Sequence, residues 1–120
     1  NPDKVKHKNR ILKNLRKKKL TPAGKLPLEH WKLINEIFGW KCVYCDCWLE
    51  KESQKNPKSR VMDHFIPVAA GGRNDYTNMV PACRECNSDK SAKDPRTWIN
   101  DEQRYEAIVQ TMGDIEYALR

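Results

Sequence analysis

The sequence predicts an α+β fold: two short antiparallel strands and a helix stapled by four cysteines, with further helices on the N- and C-terminal sides. Three observations predict it. Two Cys-x-x-Cys pairs, Cys42/Cys45 and Cys83/Cys86, enclose the middle of the chain. Two short segments of strand character lie between them. Outside them, apolar residues recur every three and four positions, the period of an α-helix.

At 120 residues the chain is expected to form one compact domain. It divides into a basic arm at 1–26, a core at 27–94 and a helical extension at 95–120. Hydrophobic residues make up only 38%, and the mean hydropathy is −0.89. A core this small benefits from a structural metal.

Charge is unevenly placed. Residues 1–60 hold 16 Lys and Arg against 6 Asp and Glu, and residues 61–120 hold 7 against 10. A basic half points to a polyanion, of which nucleic acid is the commonest. The arm concentrates this charge at Lys13, Arg16, Lys17, Lys18 and Lys19. Thr21-Pro22-Ala23-Gly24 then breaks it.

Residues 27–38 read as an amphipathic helix. Pro27 suits its first position, Leu28, Trp31, Ile34 and Phe38 share a face, and Gly39 is a natural stop. The first knuckle follows, then a polar loop at 50–59. Arg60 to Ile66 has strand character, ended by Pro67. An irregular loop with Gly71-Gly72 runs to Thr77, and Asn78-Met79-Val80 is a second short strand. After the second knuckle, a short helix is expected from Asn87 to about Lys93. Asp94-Pro95 opens the tail helix, whose face is Tyr105, Ile108, Val109, Met112, Ile115 and Leu119. Gly113 is a point where it could divide. Trp40, Trp48 and Trp98 are expected to pack rather than to stack on bases, and His7 and His30 have no metal-like partner nearby in sequence.

Thiolate sulfur in tetrahedral geometry suits Zn²⁺, and a two-residue gap lets one turn present both sulfurs to one ion. Cys42, Cys45, Cys83 and Cys86 complete four ligands. The symmetric pairing leaves Cys47 as a free thiol. Five cysteines cannot pair off as disulfides, which fits a reducing, intracellular setting. No run approaches the ~18 apolar residues of a membrane span, and no signal-peptide pattern is present.

Between the knuckles stand Asp63-His64 and Asn78, and Asn87 follows Cys86 directly. Phosphodiester hydrolysis needs such a set. A carboxylate holds a divalent cation against the anionic phosphate. A neutral imidazole accepts the proton of the attacking water, provided its other nitrogen is held by a hydrogen bond. Neighbours on a strand point to opposite faces, so Asp63 and His64 require a twist, bulge or strand end to serve one phosphate.

The spaced run Cys42-Val43-Tyr44-Cys45, Asp63-His64-Phe65-Ile66-Pro67, Gly71-Gly72, Asn78 and Cys83 to Lys90 resembles the HNH endonuclease family of ββα-metal, or His-Me finger, nucleases. The resemblance implies His64 as general base and Asp63 as a ligand of the catalytic ion. It implies Asn78 as the residue that steadies loop and base. Asn87 takes the last position, where many members carry His, which makes this an H-N-N variant. An amide oxygen there suits a hard ion such as Mg²⁺ or Mn²⁺. The implied activity is DNA cleavage to 5′-phosphate and 3′-hydroxyl ends, in a phage, restriction or mobile-element setting. A homodimer or a larger packaging complex would supply a second cut. Arg60, Arg73, Arg84 and Lys90 are candidates to brace the phosphate beside the arm. The rival readings are a non-catalytic zinc-stapled DNA-binding module and a zinc-bearing protein-interaction domain.

Overall fold

The computed structural model describes residue 10, residues 28–51 and residues 55–119. Apart from residue 10, the basic arm, with Lys13, Arg16, Lys17, Lys18 and Lys19, lies outside the described residues, as do His7 and the His30 side chain.

The fold is α+β. Helix α1 spans Leu28–Ile37, strand β1 Arg60–His64 and strand β2 Met79–Cys83. Helices α2 (Arg84–Lys90), α3 (Pro95–Ile99) and α4 (Glu102–Leu119) follow. β1 and β2 pair antiparallel, from Arg60 opposite Cys83 to His64 opposite Met79.

Each element forms for a local reason. On α1, Trp31 and Ile34 are three residues apart and buried against Ile115 and Ala118 of α4. The helix stops where Gly39 takes a positive φ of 73°, which costs glycine little. The first knuckle is a short hairpin, in which Lys41 pairs with Trp48 and the Leu49 amide donates to the Trp40 carbonyl at 2.8 Å. It docks on β2 through the Val43 amide and the Pro81 carbonyl at 3.1 Å. Pro81 is tolerated because a two-stranded sheet has only edge strands. Under the sheet, Phe65, Val80 and Ala82 pack with Tyr44, Leu49 and Ile108. Arg104 of α4 reaches back to the knuckle, donating to the Val43 carbonyl at 3.1 Å and to Asp46 at 2.6 Å.

Five expectations are corrected. α2 starts at Arg84, inside the second knuckle, because Cys83 caps it: the Cys83 sulfur accepts from the Cys86 amide. β2 accordingly runs on to Cys83. The loop between the strands contains two 3-10 turns, Val68–Ala70 and Tyr76–Asn78. The tail divides at Asn100, left-handed at φ 50°, and α4 passes through Gly113 unbroken. Trp48 does not pack: it is 67% exposed, with the Lys41 ammonium 4.6 Å from its ring centre. Strand alternation turns Leu49 inward and Trp48 out. Trp98 does pack, edge-on to Tyr44 at 5.0 Å. Among the described residues, no helix is long and apolar enough to cross a membrane.

Gly72 sits where the loop folds back on Ile66. A Cβ there would collide with the Ile66 carbonyl and come within 2.9 Å of Asn78 Nδ2. Gly72→Ala should therefore cost about 1–3 kcal/mol of stability through overpacking. Urea unfolding checks this, and an unchanged midpoint would show that the loop closes differently.

Candidate active site and metal centre

The four sulfurs of Cys42, Cys45, Cys83 and Cys86 all lie within 4.8 Å of one another, and Cys45 and Cys83 are 3.9 Å apart. A tetrahedron with ~2.3 Å metal–sulfur bonds has edges of ~3.8 Å, so the set is positioned to hold a metal ion and is compatible with zinc. Local backbone builds both halves. The Tyr44 amide donates to Cys42 Sγ and the Cys86 amide to Cys83 Sγ, each at 3.4 Å. Asp46 takes a positive φ of 64° to close the first turn, its amide bonded to the Cys42 carbonyl.

Burial pushes the Cys42 thiol up to about 11. Burial and then the Cys42 charge raise Cys86 as well. Burial also acts upward on Cys45, but hydrogen bonds from the Cys47 backbone and thiol outweigh it and bring Cys45 down to about 7. A metal must thus displace protons from the buried thiols, which couples its binding to pH. Cys47 stands beside the cluster and is no part of it; burial and then Cys45 push its thiol up to about 12.

Asp63 and His64 occupy the last two positions of β1, in regular register and without a bulge. Asp63 turns inward, its side chain 7% exposed, and His64 is half-buried on the other side. The pair falls at the end of the strand, and no distortion within β1 accompanies it. His64 Nε2 lies 2.8 Å from Asn74 Oδ1. Asn78 is buried and holds the loop three times. Its Oδ1 accepts from the Ile66 amide, and its Nδ2 donates to the Ile66 and Arg73 carbonyls, all at 2.8 Å.

Lys90 is corrected from a DNA contact to a buried tie. Its side chain is 0% exposed, because it lies on the face of α2 packed against β1. The ammonium donates to the His64 carbonyl at 3.0 Å and pairs with Asp63 Oδ2 at 3.2 Å. The Tyr44 hydroxyl donates to the same Oδ2 at 2.5 Å. Burial and then the Asp63 charge hold the Tyr44 phenol well above its ordinary range, so it keeps that proton. Both contacts fall on Oδ2, and neither uses Oδ1.

Asn87 is half-buried on α2, three residues before Lys90 and so on the same helix face. Among the described residues it makes no side-chain hydrogen bond to Asp63 or His64. Arg60 and Arg84 are half-buried; Arg60 lies over the Trp40 ring, and Arg84 Nε donates to Ser59 Oγ at 3.2 Å. Arg73 is engaged by Asp75 at 2.9 Å.

Sequence reading missed two contributors, Tyr44 and Asn74, and gave Lys90 a different role. The Tyr44 hydroxyl could have been suspected, since a buried tyrosine needs a partner for its polar tip. Lys90 carried no signal of burial. Asn74 sits in an aperiodic loop, where no pattern marks one amide over another.

These features define a small α+β domain with a thiolate clamp and an Asp-His pair at a strand end. Residues 42–93 match the model of the HNH endonuclease family, and the match supports a nuclease-type function. The Septu protein PtuB of Bacillus thuringiensis is 35% identical over 63 residues, covering 51% of this chain and 23% of PtuB. YoqL of Bacillus subtilis (strain 168), named as an SPbeta prophage-derived putative HNH endonuclease, is 31% identical over 72 residues. That covers 58% of this chain and 31% of YoqL. The chain thus spans less than a third of either relative's length. No solved structure matches.

Two substitutions test the assembly. Lys90→Ala would leave the Asp63 carboxylate buried without its cation, at a cost of about 3–5 kcal/mol. Wild-type stability in urea would show that Asp63 does not depend on Lys90. Cys83→Ser should lose bound metal and lower the melting temperature together, since metal affinity here is folding energy. Full metal content in that variant would remove Cys83 from the ligand set.

Proposed function

We propose that this domain is a metal-dependent DNA endonuclease in which His64 is the general base. Asp63 and Asn87 would hold a hard divalent ion, Mg²⁺ or Mn²⁺, and the four cysteines a structural Zn²⁺. One observation carries the reading. The half-buried His64 imidazole, held at Nε2, follows directly on a carboxylate whose Oδ2 takes both Lys90 and Tyr44, while among the described residues no hydrogen bond reaches its Oδ1.

The donor chemistry fits. A carboxylate oxygen and an amide oxygen are ligands that hard cations accept. Lys90 pairs with Asp63, and Asn87 lies one turn earlier on α2, a spacing that supports its assignment beside Asp63. When bound, the ion would neutralise charge building on the scissile phosphate. The chain's residues supply the rest. Lys90 and Tyr44 hold Asp63 in one orientation. Asn78 fixes the loop beside the base. His64 takes the proton from the attacking water. The basic arm at 1–26, with Arg60 and Arg84, would contact phosphates and give affinity without reading sequence.

Supercoiled plasmid is the test. One such site cuts one strand at a time, so nicked circles should form first with Mg²⁺ or Mn²⁺ and not with chelator. His64→Ala should melt as wild type but cleave ~10²–10⁴-fold more slowly. Full cleavage by that variant removes His64 from the chemistry. Binding by the wild type with no cleavage under any divalent ion would favour the non-catalytic DNA-binding module.

A further inference from the structure

We infer that Asn74 is the positioning residue for His64: its amide oxygen accepts from Nε2, which fixes the tautomer and leaves Nδ1 as the proton-accepting atom. This rests on the reading of His64 as general base and adds the atom and the partner.

The chemistry follows from donor inventory. An amide oxygen can only accept, so the ring nitrogen facing Asn74 Oδ1 at 2.8 Å must carry hydrogen. A neutral imidazole has one N–H. With it on Nε2, the lone pair lies on Nδ1.

The loop is built to present this amide. Asn78 Nδ2 bonds to the Arg73 carbonyl, the peptide group that leads directly into Asn74. On the other side, Asp75 Oδ1 accepts from the Thr77 amide at 3.0 Å, and Asp75 Oδ2 accepts from Arg73 Nε at 2.9 Å. Further back, the Gly72 amide bonds to the Pro67 carbonyl at 3.0 Å. Both neighbours of Asn74 are thereby tied down, while its own side chain is directed to the imidazole. Asn78 therefore steadies the base at one remove: it holds the Arg73 peptide, which places Asn74, which orients His64. From the other side Lys90 holds the His64 carbonyl, so ring and backbone are fixed by different elements.

Imidazole ¹⁵N shifts test this without any turnover. The full chain has three histidines, and the His64 pair of signals is identified by its loss in His64→Gln. In wild type at a pH where the ring is neutral, the signals should show Nε2 protonated and Nδ1 bare. In Asn74→Ala the two tautomers should mix. Plasmid cleavage should fall about tenfold in kcat for Asn74→Ala, the worth of one lost hydrogen bond, with KM for DNA unchanged. Asn74→Asp, which keeps an acceptor oxygen at the same place, should restore the Nε2–H form. A wild-type spectrum with the proton on Nδ1 would overturn the inference, as would an Asn74→Ala variant with unaltered shifts and kcat. If His64→Ala cleaves normally, the reading of His64 as general base fails, whereas the ¹⁵N signals still decide whether Asn74 sets the tautomer.

Discussion

Four sulfur atoms converging on one point are the constraint from which the rest of this structure follows. They join a hairpin at residues 42–47 to the strand-to-helix junction at residues 83–86. Between them the chain can offer only two five-residue strands, a pairing that is marginal in water without further support. The apolar core is divided into two small clusters, one under the sheet and one between α1 and α4. Neither would hold the β1–β2 connection in place alone. With the knuckles joined, Cys83 ends β2 and caps α2 at once, so the register of the sheet fixes where α2 begins and which face it presents.

That geometry decides the chemistry at the end of β1. Strand alternation sends Asp63 inward and leaves His64 toward solvent. A buried carboxylate is costly unless it is paired and hydrogen-bonded. Lys90 and Tyr44 meet that requirement on a single oxygen. The result is a carboxylate fixed in direction beside an imidazole fixed in direction, with the anchoring cation withdrawn from solvent. The buried lysine thus belongs to the framework around Asp63 and is withdrawn from the surface.

Much of this was legible in the sequence, and the misses have physical causes. The knuckles announced themselves by spacing, and α1 and α4 by their 3.6-residue period. The Asp63-His64 pair and the glycine pair were visible as residue types whose chemistry fits together. Boundaries were harder. Cys83 as a helix cap was invisible, because sulfur accepting a backbone N–H is not among the usual capping residues. Asn100 ended α3 through a left-handed backbone that no neighbouring residue required. Lys90 was read as a phosphate-bracing cation, but its position one turn beyond Asn87 on a packed face buried it. Trp48 was read as core by residue type, but the alternation of a short hairpin exposed it. Residue type alone does not carry burial; the face on which a residue lands does.

The similarity to PtuB and YoqL spans a minor part of each of those proteins. The segment that matches the family model, residues 42–93, contains all four cysteines of the cluster. The claim that a four-thiolate metal organises that segment is tested most directly by X-ray absorption at the metal edge of the purified chain. The account predicts zinc with four sulfur scatterers at ~2.3 Å and no lighter ligand. A shell containing nitrogen or oxygen, a different sulfur count, or a folded chain without bound metal would contradict it.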